Sequence, residues 1–167
     1  PFHAGKQAER NELLERVSRS TGAAIAYTNL IGGQDELVFD GGSMIFDHTG
    51  ICIAKAHEFR EELLTVDLVF EGSRPAGTFS CAEIQKTIAA KLPVPQTSPS
   101  VLSPEEEILE ALILGTHDYI KKNGFSKAVI GLSGGIDSAL VAAIAVEALG
   151  AENVIGITMP SNYTSSE

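Results

Sequence analysis

The chain is poor in the residue types that organise many other proteins. Its two cysteines, Cys52 and Cys81, are too few and too far apart for a disulfide framework or a zinc site. The histidines, His3, His48, His57 and His117, are scattered, so surface or turn positions are expected and no metal site. Basic residues are scarce: 12 Lys and Arg against 22 Asp and Glu give a formal charge of −10. That balance argues against nucleic acid or an anionic membrane as partner, since both reward clustered Lys and Arg. The longest apolar run, Ala139 to Val146, falls far short of the ~20 residues a membrane span requires. Pro1 to Ser20 is polar and charged, with no secretory signal in view. Neither G-x-x-x-x-G-K-[ST] nor G-x-G-x-x-G occurs. A cytoplasmic protein is the expectation.

What is present is concentrated in one place. Lys127 to Leu132 is a short apolar run, followed by Ser133-Gly134-Gly135 and then by Ile136-Asp137-Ser138, which opens a second apolar run of helical length. That order predicts a buried strand, a tight loop and a helix N-terminus. Loops of this kind bind phosphate, because two glycines let the backbone approach an anion and the first free N–H groups of the helix point at it. The competing reading is a glycine turn that merely joins strand to helix. Asp137 is acceptor-only when ionised, so at a phosphate site it implies a divalent cation. Its plainer role would be N-capping of the helix, and the two roles need not exclude each other.

The rest of the chain divides by composition. Gln7 to Ser20 reads as an amphipathic helix, with Leu13, Leu14 and Val17 as its apolar stripe and Glu9, Arg10, Glu12, Glu15, Arg16 and Arg19 on wet faces. Strands are expected at Ala23–Tyr27, Leu37–Phe39, Ser43–Phe46, Ile51–Ala56 and Leu63–Phe70. Gly32 to Glu36 is expected to be a loop, and Asp47 to Gly50 a hairpin turn. Five of the seven prolines (Pro75, Pro93, Pro95, Pro99, Pro104) fall between Glu71 and Pro104, which reads as a linker with one helical stretch, Cys81–Leu92. Ser103-Pro104-Glu105-Glu106 is a helix start with a capping box. Ile108, Leu109, Leu112, Ile113, Tyr119 and Ile120 line one side of that helix, and Asn123-Gly124 ends it. Strand Ala128–Leu132, helix Asp137–Leu149 and strand Val154–Met159 then form a parallel crossover, with the helix mostly buried and the ligand at the carboxyl ends of the strands. A two-stranded parallel sheet is not a viable domain alone, so 167 residues are read as a fragment carrying parts of two domains.

Ser133-Gly134-Gly135-Ile136-Asp137-Ser138 resembles the S-G-G-x-D-S signature of the PP-loop (N-type) ATP pyrophosphatases, which cleave ATP between its α and β phosphates. Gly131 to Ala142, Ala148 to Val154 and Met159-Pro160-Ser161 narrow the resemblance to the NAD synthetases. It implies an ATP- and Mg²⁺-dependent ligase that activates the carboxylate of deamido-NAD as an acyl adenylate and opens it with ammonia. Gly131, Leu132, Ser133, Gly134, Gly135, Ile136, Asp137, Ser138 and Met159 would then meet the nucleotide, with Asp137 as the metal ligand.

On the other side of the proline-rich stretch, Pro1 to Lys6 and Tyr27 to Ser43 resemble the second half of a nitrilase-type amidase. In particular they resemble the glutaminase domain fused to glutamine-dependent NAD synthetases. The implied fold is α/β: the C-terminal part of a nitrilase-like α-β-β-α sandwich (1–70), a linker (71–103), and the start of a PP-loop doubly wound parallel domain (104–167). A homo-oligomer is the implied assembly.

Such glutaminases use a Glu-Lys-Cys triad with the cysteine on a strand-to-helix elbow. Cys52 lies inside a strand and Cys81 in linker-like sequence, so both read as structural, no catalytic residue is assigned here, and the triad is expected upstream of Pro1. Lys6 opposes the dipole of the helix it starts, unless an anion binds there. The resemblance gives that position the carboxylate of substrate glutamine; a solvated lysine is the alternative. Asp35-Glu36 is read as a loop capping pair in preference to an acid–base pair. Two other readings stay open: another PP-loop amidotransferase, and a non-catalytic interaction module.

Overall fold

The computed structural model describes residues 1–68 and 101–159, arranged as a mixed α/β chain. Helix α1 spans Lys6–Thr21, between Gly5 and Gly22, both in the left-handed region. Strands β1 (Ile25–Tyr27), β2 (Ile31–Gln34), β3 (Leu37–Asp40), β4 (Met44–Phe46) and β5 (Cys52–Lys55) follow. They form an antiparallel sheet of order β1-β4-β5 and a separate β2-β3 hairpin. Asp47 holds the β4–β5 turn by accepting the N–H groups of Thr49 and Ile51, each at 2.9 Å, and the Thr49 hydroxyl at 2.7 Å. These bonds also hold its carboxyl below the usual carboxylate range.

The N-terminal core is small and dense. Met44, Phe46, Ala54 and Phe59 are buried, and Phe2 meets Phe59 edge to face at a centroid distance of 5.6 Å. At its centre lies a charge pair. Arg10, expected on a wet face of α1, is buried and grips fully buried Asp40 with both guanidinium nitrogens, one at 2.8 Å. Burial alone would lower the Arg10 pKa, but the Asp40 hydrogen bonds and charge outweigh it and hold it above the ordinary value. Gln7 donates to the Gly42 carbonyl at 3.0 Å, and Asn29 donates to Asp40 at 3.2 Å and to the Gly41 carbonyl at 2.8 Å. The buried face of α1 is thus Gln7, Arg10 and Ser18, while Leu13 and Val17 of the expected stripe are exposed.

Two further expectations are corrected. Gly32-Gly33, read as a loop, lies in β2, and the turn is only Asp35-Glu36, with Asp35 at φ 51° in the left-handed region. Asp tolerates that conformation better than most residues. Leu63 to Leu68 is irregular where a strand was expected. The linker expectation for 71–100, the helix at Cys81–Leu92, and Val69, Phe70, Pro160 and Ser161 fall outside the described residues.

Helix α2 (Pro104–Lys122) begins with the expected capping box: Ser103 Oγ accepts the Glu106 N–H at 3.3 Å and Glu106 accepts the Ser103 N–H at 2.8 Å. It ends at Asn123, followed by left-handed Gly124. Strand β6 (Ala128–Leu132), helix α3 (Ile136–Leu149), a 3₁₀ turn (Ala151–Asn153) and strand β7 (Val154–Thr158) complete the described chain. β6 and β7 pair in parallel, with Leu132 opposite Thr158 at their carboxyl ends. α3 packs on α2 and on both strands. Only Ala145, Ala148 and Leu149 of α3 are buried, and Ile136 is 84% exposed, so the expected burial of this helix is partial among the described residues.

Candidate functional site

The Ser133–Ser138 turn sits where the sequence places it, at the carboxyl end of β6 and the amino end of α3. Gly134 has φ 86°, a conformation glycine takes without cost, and a Cβ added there would meet nothing within 4 Å. The first intrahelical bond of α3 runs from the Ala139 N–H to the Gly135 carbonyl at 3.2 Å. The N–H groups of Ile136, Asp137 and Ser138 precede it and point away from the helix. The two hydroxyls staple the turn. Ser133 Oγ lies 3.1 Å from Ser138 Oγ, which also accepts the Ser133 N–H at 3.2 Å and reaches the Gly135 carbonyl at 3.0 Å. The serine hydroxyls are thus engaged with the turn itself, leaving backbone N–H groups as the open donors.

Asp137 is not the N-cap. That position belongs to Gly135, and no side chain caps α3. Asp137 is exposed in the first turn and has no hydrogen bond or ion pair among the described residues. An acceptor-only carboxylate without a protein partner, beside donors that suit phosphate, is chemically fit for a divalent cation. Met159 follows β7, and its ε-methyl lies 3.4 Å from where a Gly131 Cβ would stand. Gly131, Leu132, the turn and Met159 therefore share one end of the parallel pair.

Lys6 is elsewhere, as the first residue of α1. Its ammonium is 3.4 Å from Glu9, and His3 Nε2 is 3.6 Å from the same carboxylate oxygen. Asp35 and Glu36 are exposed turn residues. Cys52 is a free thiol at the surface of β5, and desolvation by its neighbours pushes its pKa up, which disfavours the nucleophilic thiolate. No group of three or more His, Cys, Asp or Glu among the described residues could hold a metal. No described helix is long and apolar enough to cross a membrane. A recess of mixed character, about 240 Å³, lies over the Gly41-Gly42 turn, away from Gly134, and is lined in part by Asn29, Ile31, His57 and Arg60.

Hydrophobic patterning misses one set of residues altogether. Glu107, Ala111, Gly115, Asp118 and Lys122 recur at helical spacing on the face of α2 that meets the N-terminal part. Glu107 accepts the Gly5 N–H at 3.2 Å; Asp118 accepts the Gly33 N–H at 2.9 Å; Lys122 donates to the Gly33 carbonyl at 2.6 Å. A Cβ on Gly33 would stand 3.1 Å from Gly115 Cα, so helix and strand meet glycine to glycine. Burial alone would raise the Asp118 pKa, but hydrogen bonds from His117, Lys122 and the Gly33 N–H bring it below the usual carboxylate range. The signal in the sequence was the i, i+4, i+8 run Glu107, Ala111, Gly115, a charged-small-small stripe that no hydropathy period selects.

Comparison with known proteins agrees with the resemblance to the glutamine-dependent NAD synthetases. Residues 108–167 match the family model described as NAD synthase. The glutamine-dependent NAD(+) synthetase of Thermotoga maritima is 44% identical over 184 aligned residues, covering 100% of this chain and 31% of that protein. The enzyme of the same description from Synechocystis sp. is 44% identical over 99% of this chain and 26% of its own length. Among solved structures, the glutamine-dependent NAD+ synthetase from Acinetobacter baumannii in complex with ADP superposes with a TM-score of 0.79 at 34% identity, covering 99% of this chain and 28% of that one. The chain thus spans under a third of the length of these relatives.

Proposed function

We propose, for a chain that belongs along its whole length with the glutamine-dependent NAD(+) synthetases, that its parent protein joins ammonia to deamido-NAD at the expense of ATP. Residues 104–167 are the beginning of the PP-loop synthetase domain, 1–70 the end of a nitrilase-like glutaminase domain, and 71–103 the linker between them. The reaction needs two displacements. The nicotinate carboxylate attacks the α-phosphorus and pyrophosphate leaves; ammonia then attacks the acyl carbon, AMP leaves and a proton is lost. The observation that carries this reading is the turn at Gly134, open on its outer side and edged by the free N–H groups of α3.

The residues of the turn act by fixed geometry. Their N–H groups are already aimed outward before any anion arrives, so little reorganisation accompanies binding of the departing pyrophosphate. The Ser133–Ser138 staple holds that shape. Asp137 would hold Mg²⁺, which when bound neutralises charge on the leaving group. Gly131 and Met159, which meet at the same end of the strands, would lie beside it. At the far side of the chain, Lys6 would receive the carboxylate of glutamine, drawing its ammonium from Glu9. The same reading makes the protein a cytoplasmic homo-oligomer with ATP, deamido-NAD and glutamine as its small-molecule partners and neither nucleic acid nor membrane among them.

The test uses the full-length protein with Mg·ATP, deamido-NAD and ammonium, followed by chromatography of the products. NAD, AMP and pyrophosphate in equal amounts are expected; AMP without NAD rejects the ligase reading. Asp137→Asn is expected to lower synthesis by roughly 100-fold or more while glutamine hydrolysis remains, and equal loss of both contradicts the division of labour.

A further inference from the structure

A buried carboxylate that no step above uses stands in the first turn of α2. Glu107 is 8% exposed, and its Oε2 accepts the N–H of Gly5, 102 residues earlier in the chain. Gly5 is the N-cap of α1 at φ 80°, ψ 0°, and offers that helix no side-chain cap. Nothing lies within 4 Å of where its Cβ would be. The anchors on either side are Phe2, whose N–H donates to the Val38 carbonyl at 2.6 Å, and Gln7, which donates to the Gly42 carbonyl at 3.0 Å, so the Glu107 bond acts on the glycine between them. Lys6 follows directly, with Glu9 as its ion-pair partner among the described residues.

The other end of α2 is fixed independently. Asp118 and Lys122 take both polar groups of the Gly33 peptide, and Gly115 backs onto Gly33. Glu107 and Lys122 are about 22 Å apart along the helix at ~1.5 Å per residue. A helix held at both ends presents the Glu107 carboxylate at a set point against the start of α1.

We propose that Glu107 is a positioning residue for the glutamine side of the reaction. Through the Gly5 amide it sets how the chain turns into α1, and hence the direction in which the Lys6 ammonium is offered to an anion. Glu107 touches no substrate. The inference rests on the reading of Lys6 as the contact for the glutamine carboxylate, and it makes that site depend on a side chain from the C-terminal part.

Glutamine-driven and ammonium-driven NAD synthesis by the full-length protein, measured side by side, test it. Glu107→Ala is expected to raise the glutamine KM at least about tenfold, the order that follows from displacing a binding group, with ammonium-driven turnover unchanged. Glu107→Gln keeps an oxygen for the Gly5 N–H and is expected to restore most of the loss. Glu107→Asp withdraws the acceptor by one methylene and gives the same split if the alanine variant fails to fold. An unchanged glutamine KM, or ammonium-driven turnover falling in step, overturns the proposal. Lys6→Ala separates the two ideas: a raised glutamine KM there with none in Glu107→Ala rejects the positioning role alone. An unchanged KM in Lys6→Ala rejects the Lys6 reading and the route through it.

Discussion

Gly41-Gly42 in the N-terminal part and Gly134-Gly135 in the C-terminal part are the same pair of letters in opposite surroundings. A Cβ on Gly41 would fall 2.7 Å from Ile31, and one on Gly42 would fall 2.5 Å from the Gln7 amide. On the side where a Cβ would stand the protein fills that turn with its own groups, and the recess of about 240 Å³ lies over its other side. Around Gly134 there is nothing within 4 Å, and Gly135 meets only Ser133 Oγ at 3.5 Å. Polar side chains follow the same division: Asp40 is fully buried and shared between Arg10 and Asn29, whereas Asp137 is exposed and unshared among the described residues. The difference is one of side-chain room: a side chain at Gly41 or Gly42 would collide, and one at Gly134 would not.

The strongest way to break this comparison is to truncate both carboxylates. Asp40→Ala leaves the Arg10 charge buried without its partner, and a loss of about 3–5 kcal/mol is expected, read from the urea midpoint. Asp137→Ala is expected to leave the midpoint where it was while ending ammonium-driven synthesis. A similar midpoint drop in both would erase the distinction. Next in size is Gly33→Ala. The new methyl meets the Gly115 backbone, and overpacking of this kind costs about 1–3 kcal/mol, seen as a lower midpoint. Gly134→Ala meets no atom, so its cost is the left-handed backbone alone, about 1 kcal/mol. Its larger effect falls on ATP, whose apparent affinity in equilibrium binding is expected to weaken more than tenfold.

The smallest effect is on acid stability. Asp118 has a folded pKa below its unfolded value of about 3.9. Its stabilising contribution is therefore complete above that value and is lost as pH falls through the lower, folded one. Asp118→Asn is expected to flatten the stability profile on this acid limb and to leave its neutral-pH slope unchanged. An acid limb that matches the parent would show that the Gly33 contact does not depend on the carboxylate charge.

Much of the candidate phosphate turn was readable in advance because its signals are local. A strand, two glycines and a helix start occupy consecutive positions, and the Ser103–Glu106 capping box is likewise complete within four residues. What escaped was non-local. Arg10 reads as solvent-facing because the hydropathy of α1 says nothing of Asp40, 30 residues away. Gly32-Gly33 reads as a loop because glycine carries no side-chain period, and what makes it a strand is pairing with Phe39 and Val38 of β3. Nothing in the sequence sets Glu107 apart from Glu105 and Glu106, and its partner Gly5 is a backbone N–H that composition cannot reveal. The strand expected at Leu63–Phe70 is absent from its described part, Leu63 to Leu68.

The Arg10–Asp40 pair has a consequence for how the N-terminal part assembles. α1 has few buried apolar side chains of its own, and its inward face gains its main partner only when β3 arrives. The entropy of closing a loop of that length must be met before the charges reward it. Early docking of α1 by itself is therefore disfavoured, and helix and hairpin are expected to come together in one cooperative event.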